Sequence, residues 1–141
     1  MNKLICMMGL PRSGKTTKAK QLSKEFNAPV VNPDAIRLGL HGKAFDPQYE
    51  KEVWHIAHVM VKALFEYGYE TVILDATNMH KKARVEWLDT LYTTEYYRIP
   101  TPEPICIQRA CDTHQEYLID VIHRMIAKFQ PLGPEEIAFT P

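Results

Sequence analysis

The chain has no long hydrophobic run, no paired-cysteine spacing and no net charge, and each absence closes off a class of explanation. No apolar stretch approaches the ~18 residues of a membrane span. The three cysteines, Cys6, Cys106 and Cys111, lack the C-x-x-C spacing of a metal ribbon or redox pair, and Cys6 lies inside an apolar segment. They read as reduced thiols in a cytosolic setting. Seventeen Lys/Arg balance seventeen Asp/Glu, which argues against bulk electrostatic capture of nucleic acid. Internal repeats and low-complexity segments are missing, and the apolar part of Met1–Met8 is too short for a signal peptide. The expectation is one cytoplasmic domain over residues 1–141, large enough to bury its own core.

The charge is nonetheless unevenly placed. Residues 1–43 carry eight Lys/Arg against two Asp/Glu, whereas residues 44–141 carry nine against fifteen. The basic third holds Gly-Leu-Pro-Arg-Ser-Gly-Lys-Thr at Gly9–Thr16, which fits G-x-x-x-x-G-K-[ST] at every fixed position. Before it, Lys3–Met8 is an apolar run suited to a buried strand; after it, Lys15–Phe26 has helical spacing. That order predicts a phosphate-binding loop formed by Gly9, Leu10, Pro11, Arg12, Ser13, Gly14, Lys15, Thr16 and Thr17. Successive backbone N–H groups and the helix N-terminus would hold a triphosphate. Lys15 would lie along the β- and γ-phosphates and the Thr16 hydroxyl would ligate Mg²⁺.

The rest of the chain alternates strand and helix. Ala28–Asn32 predicts a second strand, Pro33–Leu38 a short helix, and Asp46–Tyr67 a long one with Val53, Ala57, Met60, Leu64 and Tyr67 on one stripe, widened by Trp54, Val61 and Phe65. Thr71–Asp75 predicts a buried strand, Lys81–Tyr92 a helix and Glu95–Ile99 a further strand. Beyond Pro100, Pro102 and Pro104, helices are expected to about Cys111 and over Gln115–Phe129, then a tail without regular structure over residues 130–141. Alternation with apolar strands points to an α/β fold of the P-loop NTPase kind, a parallel sheet covered by helices on both faces with a helical lid near residues 109–124.

Ligand groups in such sheets gather at the carboxyl ends of strands, and three clusters fall there. Besides the loop, Asp34 and Arg37 follow the second strand and share one helix face. A carboxylate there can take the proton of an attacking hydroxyl and a guanidinium can grip a phosphate. A helix-start aspartate with a surface ion pair has the same spacing. Asp75 ends the third strand, where a carboxylate holds the Mg²⁺ shell or caps a turn. Thr77 and Asn78 beside it can contact substrate or form the turn. His55 and His58 have metal-ligand spacing but no third ligand, and read as ordinary helix residues. His114 and His123 lie near the expected lid and read as exposed.

These segments together, Gly9–Thr17, Asn32-Pro33-Asp34-Ala35-Ile36-Arg37, Leu74-Asp75-Ala76-Thr77-Asn78 and Ile119–Met125, resemble the kinase domain of polynucleotide kinases and related small P-loop kinases across nearly the whole chain. The resemblance implies Asp34 as general base for an acceptor hydroxyl, Arg37 as ligand of an acceptor phosphate and Thr77-Asn78 as lining of the acceptor channel. Arg109 looks like the first lid arginine that clamps ATP. The chain then departs from the pattern. Family lids offer another basic residue soon after, whereas Ala110–His114 supplies none but His114, leaving Arg124 as the candidate. The Pro-Asp-Ala-Ile-Arg-Leu and Leu-Asp-Ala-Thr-Asn wording is similar to phage kinases acting on 5-hydroxymethyluracil in DNA.

The expected activity is therefore Mg²⁺-dependent transfer of the γ-phosphoryl group of ATP to a hydroxyl of a nucleic acid or nucleotide-like acceptor. Asp34, Lys15, Arg109 and Arg124 would carry the chemistry, Arg37, Thr77 and Asn78 would bind acceptor, and Thr16 and Asp75 would hold the metal. A small-molecule or nucleoside kinase is the first alternative. A non-catalytic module that binds nucleotide to order its lid is the second.

Overall fold

A computed structural model describes all of residues 1–141. Its centre is strand β1, Asn2–Met8, whose Leu4, Ile5, Cys6, Met7 and Met8 are fully buried. Side chains alternate across a strand, so successive residues enter different cores. Leu4 and Cys6 pack with Val31, Val72, Leu74, Trp87 and Tyr96 on one face, while Ile5 and Met7 meet Ala19, Leu22 and Ile73 on the other. A strand covered on both faces reads as a continuous apolar run, which is why β1 is visible in the sequence.

The remaining strands are β2 (Val30–Val31), β3 (Thr71–Leu74), β4 (Tyr92–Arg98) and β5 (Ile137–Ala138). They form one sheet in the order β2-β3-β1-β4-β5 with every neighbouring pair parallel. Helix α1 (Lys15–Phe26) covers the face of Ile5 through Ala19 and Leu22, and α3 (Glu50–Tyr67) covers the other through Ala57, Val61 and Phe65. Between them α2 (Pro33–His41) starts at Asn32, whose side chain accepts from Asp34 N at 2.8 Å, with Pro33 in the first turn. Helices α5 (Glu103–Asp112) and α6 (Leu118–Ala127) form a hairpin that roots Cys106 and Ile122 beside Met8, Leu10 and Met79.

Several boundaries differ from the sequence expectation. The long helix begins with a separate 3-10 turn at Pro47–Tyr49, capped by the Asp46 side chain through Gln48 N. The helix expected over 81–92 is only α4, Lys81–Val85. Bonds of the tighter i-to-i−3 kind, Trp87 N to Arg84 O and Leu88 N to Val85 O, end it, and Tyr92 already belongs to β4. The tail is also structured. Ile137 and Ala138 pair with Glu95 and Tyr96 to give β5, and Phe139 N donates to Tyr96 O at 2.8 Å.

That tail is hooked by Arg84, which is 0% exposed. Its Nε donates to Glu136 Oε2 at 2.7 Å and Nη2 to Glu136 Oε1 at 3.1 Å. Nη1 reaches Asn78 O at 3.0 Å and Nη2 also reaches Pro131 O at 3.2 Å. Hydrogen bonding to Arg84 holds the Glu136 carboxyl below the usual carboxylate range, against the opposing effect of burial.

Candidate active site

The loop between β1 and α1 is shaped by close approach. Gly9 N donates to Thr77 O at 2.9 Å, and a Cβ on Gly9 would stand 2.8 Å from Ser13 Oγ and 3.2 Å from Ile99 O. Glycine is the residue that fits. Arg12 (φ 66°) and Gly14 (φ 100°) take left-handed conformations, which turns consecutive N–H groups toward one concavity. Ser13 N closes the turn onto Leu10 O at 3.1 Å, and Thr101 Oγ1 donates to Ser13 O at 2.7 Å from outside.

The inside of the loop is left unpaired. The N–H groups of Arg12, Gly14, Lys15, Thr16 and Thr17 donate to no backbone acceptor, and the buried Ser13 Oγ has no partner. Buried or helix-start polar groups are normally satisfied, so a cluster of free donors beside Lys15 has the chemistry to receive oxygen atoms of a polyphosphate. Burial raises the Cys106 thiol pKa above its ordinary value, while the charges of Arg109 and Lys15 pull the other way.

At its far side Thr16 Oγ1 donates to Asp75 Oδ2 at 2.7 Å. Asn32 Nδ2 lies 3.4 Å from the same oxygen, and the buried Asp75 Oδ1 has no partner. A hydroxyl and a carboxylate with an open buried oxygen fit Mg²⁺, which takes few protein ligands and fills its shell with phosphate and water oxygens. No group of three or more His, Cys, Asp and Glu stands ready as an all-protein metal cage. His58 instead stacks on Trp87 at 3.8 Å, and burial lowers its pKa.

Asp34 and Arg37 project from α2 as their spacing predicts, with Arg37 Nη1 2.6 Å from Asp34 Oδ1. The carboxylate is 78% exposed, whereas the arginine side chain is only 14% exposed. Its remaining fork is closed by a residue that sequence reasoning missed. Nε donates to Glu50 Oε2 at 2.9 Å and Nη2 to Glu50 Oε1 at 2.7 Å, with Trp54 5.7 Å from the guanidinium. Burial disfavours the Arg37 charge, but Glu50 and then Asp34 more than offset it, so its pKa is raised. The pairing joins residues thirteen positions apart on two different helices and leaves no local signal in the sequence.

Thr77 is half-buried and ties its carbonyl to Gly9, while Asn78 is buried with φ 49°. The Asn78 amide donates to Met7 O at 2.7 Å, so its side chain is taken up inside the fold, fastening the β3 loop to β1. On the helical hairpin, Arg109 Nη1 donates to Arg12 O at 3.1 Å and thus borders the loop. Arg124 is exposed and makes no ion pair, with Asp120 or any other carboxylate. His114 is exposed in a left-handed turn (φ 56°), and His123 Nδ1 is 2.5 Å from Glu103 Oε1.

A parallel five-stranded sheet wrapped by helices, with a phosphate loop after its central strand, defines a P-loop kinase-like fold. The family described as AAA domain matches residues 4–132, and the chain belongs to that family. Among solved structures, a chain of the Pnkp1/Rnl/Hen1 complex is 26% identical with a TM-score of 0.67, covering 77% of this chain and 38% of that one. A sugar kinase from Janibacter sp. HTCC2649 superposes with a TM-score of 0.71 at 16% identity, covering 99% and 84% of the two chains. A shikimate kinase from Acinetobacter baumannii, in complex with shikimate, gives 0.58 at 16%, covering 90% and 75%. Among curated proteins, a glutamyl-tRNA(Gln) amidotransferase subunit from Legionella pneumophila is 34% identical over 73 residues, 51% of this chain. The chain spans only 15% of that protein's length. No helix is long and apolar enough to cross a membrane.

Proposed function

We propose that the protein is an ATP-dependent phosphotransferase acting on an alcohol of a nucleic acid or nucleotide-like acceptor. The observation that carries this reading is Asn32. Its Oδ1 accepts from Asp34 N at 2.8 Å, and its Nδ2 lies 3.4 Å from Asp75 Oδ2. One side chain therefore ties the first turn of α2, the backbone that carries the exposed Asp34, to the carboxylate that pairs with Thr16. A base for the acceptor hydroxyl and a holder for Mg²⁺ are thereby kept in one frame, which a protein that only bound nucleotide would not need.

In this reading MgATP supplies the phosphoryl group. The free N–H groups of Arg12, Gly14, Lys15, Thr16 and Thr17 hold its phosphates, and Thr16 and Asp75 hold the metal. Asp34 accepts the proton of the alcohol as the oxygen-to-phosphorus bond forms and the bond to the ADP oxygen breaks. Lys15 and Arg109, with Arg124 from α6, offset the negative charge that spreads over the transferring group. Thr77 borders the loop on the acceptor side.

The test is transfer from γ-labelled ATP across DNA and RNA ends, 5-hydroxymethyluracil DNA, free nucleosides and simple sugars. Asp34→Asn is expected to lower transfer about 10²- to 10⁴-fold while nucleotide binding persists. Wild-type rates in that variant remove Asp34 from the role of base, and label on none of the acceptors counts against a kinase. A small-molecule acceptor is the second reading, favoured by the closed fork of Arg37.

A further inference from the structure

The acceptor side holds an arginine that is already engaged on two sides. Arginine grips a phosphate by presenting adjacent N–H groups to two of its oxygens. In Arg37 the adjacent Nε and Nη2 both donate to the Glu50 carboxylate, at 2.9 and 2.7 Å, and Nη1 donates to Asp34. With side-chain exposures of 14% for Arg37 and 20% for Glu50, this pair is largely screened from water.

The position of Glu50 is also braced. It is the first residue of α3, entered from the 3-10 turn capped by Asp46, and a second link between α2 and α3 stands beside it. His41 Nε2 is 2.8 Å from Glu52 Oε1, and the His41 ring stacks on Tyr49 at 3.8 Å. An incoming phosphate must therefore displace Glu50, which leaves a mostly buried carboxylate without its cation, or approach a cation flanked by two carboxylates. Both routes are costly.

We infer that Glu50 is a positioning residue that sets acceptor specificity: it converts Arg37 from an anion receptor into a support for Asp34, and so selects an alcohol with no phosphate next to its hydroxyl. The word acceptor rests on the kinase reading, whereas the loss of an anion site at Arg37 does not. Within that reading it narrows the acceptor: a nucleoside is favoured over the corresponding nucleoside 3′-phosphate, and equally over a 5′-hydroxyl end of a nucleic acid, which carries that phosphate.

The experiment has a binding arm and a kinetic arm. With the loop saturated by Mg²⁺ and a non-hydrolysable ATP analogue, inorganic phosphate is titrated by calorimetry into wild type, Glu50→Gln and Glu50→Gln/Arg37→Gln. Wild type is expected to show no further phosphate site; Glu50→Gln gains affinity by at least about tenfold, and the second substitution abolishes the gain. In the kinetic arm, the KM for thymidine 3′-monophosphate relative to thymidine falls in Glu50→Gln while the KM for ATP is unchanged, a shift that a purely structural loss would not produce. A wild-type phosphate site that disappears in Arg37→Gln overturns the inference, and this result needs no folded Glu50 variant. Glu50→Gln that gains no phosphate affinity overturns it as well. If no variant transfers label to any alcohol but Glu50→Gln gains Arg37-dependent phosphate binding, the kinase reading falls and the role of Glu50 stands.

Discussion

Two polar centres lie on either side of the β3 loop and are built on opposite rules. Around Arg84 every charge is answered: the guanidinium is fully buried, Glu136 takes its fork, and Asn78 O and Pro131 O take other donors. Around the phosphate loop, donors and acceptors are gathered and left open, from the N–H of Arg12 to Ser13 Oγ and Asp75 Oδ1. The first centre is satisfied by the protein's own groups, whereas the second is not. Asn78 belongs to both, since its carbonyl receives Arg84 and its amide reaches Met7 O at the end of the strand that enters the loop.

The sharpest way to break this contrast is at the saturated centre. Arg84→Met leaves the Glu136 carboxylate buried without its cation and is expected to cost about 3–5 kcal/mol in denaturant unfolding. Adding Glu136→Leu should recover part of that loss, because it removes the unpaired buried charge, while Asn78 O, Pro131 O and Gly133 N stay without their side-chain partners. At the open centre the expected result is the reverse. Lys15 makes no ion pair with the protein, so Lys15→Ala should leave the unfolding midpoint within about 0.5 kcal/mol of wild type. Phosphoryl transfer should nonetheless drop about 10²- to 10³-fold, read from labelled product. Equal losses of stability and activity in both variants would erase the distinction between the two centres.

The smallest effect concerns pH. Burial, chiefly, lowers the His58 pKa, Lys62 and His55 lower it further, and Glu86 and Asp89 oppose them. The unfolded chain then binds a proton at higher pH than the folded one. The contribution of His58 is therefore complete above about pH 6.5 and fades as pH falls through the lowered folded value. A shallower slope of stability against pH below about 6.5 is expected for His58→Gln.

How much of this was legible in the sequence depends on the range of the force involved. The phosphate loop is readable because backbone crowding at Gly9 and the positive φ of Gly14 dictate residue type locally. The long helix α3 is readable from its period, but the buried line runs through Val53, Ala57, Val61 and Phe65, while Met60 and Tyr67 of the expected stripe are exposed at its edge and end. The segment 81–92 misleads because Ala83, Trp87 and Leu91 share that period, although Tyr92, Thr94 and Tyr96 already alternate as a strand with one buried face. Strand β5 has only two residues and depends on Arg84, fifty-two positions from Glu136, so no window of sequence contains its cause. The same holds at the site. The Asp34–Arg37 spacing is local, whereas Glu50 reaches Arg37 only after α2 and α3 have met.

The central place of β1 also bears on the order in which the molecule assembles. Its neighbours in the sheet, Thr71–Leu74 and Tyr92–Arg98, are far along the chain, so its apolar backbone finds no partner until long loops have closed. A domain organised this way folds more slowly than a helical bundle of its size. Until β3 and β4 arrive, the most water-averse segment of the protein stays uncovered, and it is the segment a chaperone would have most reason to hold.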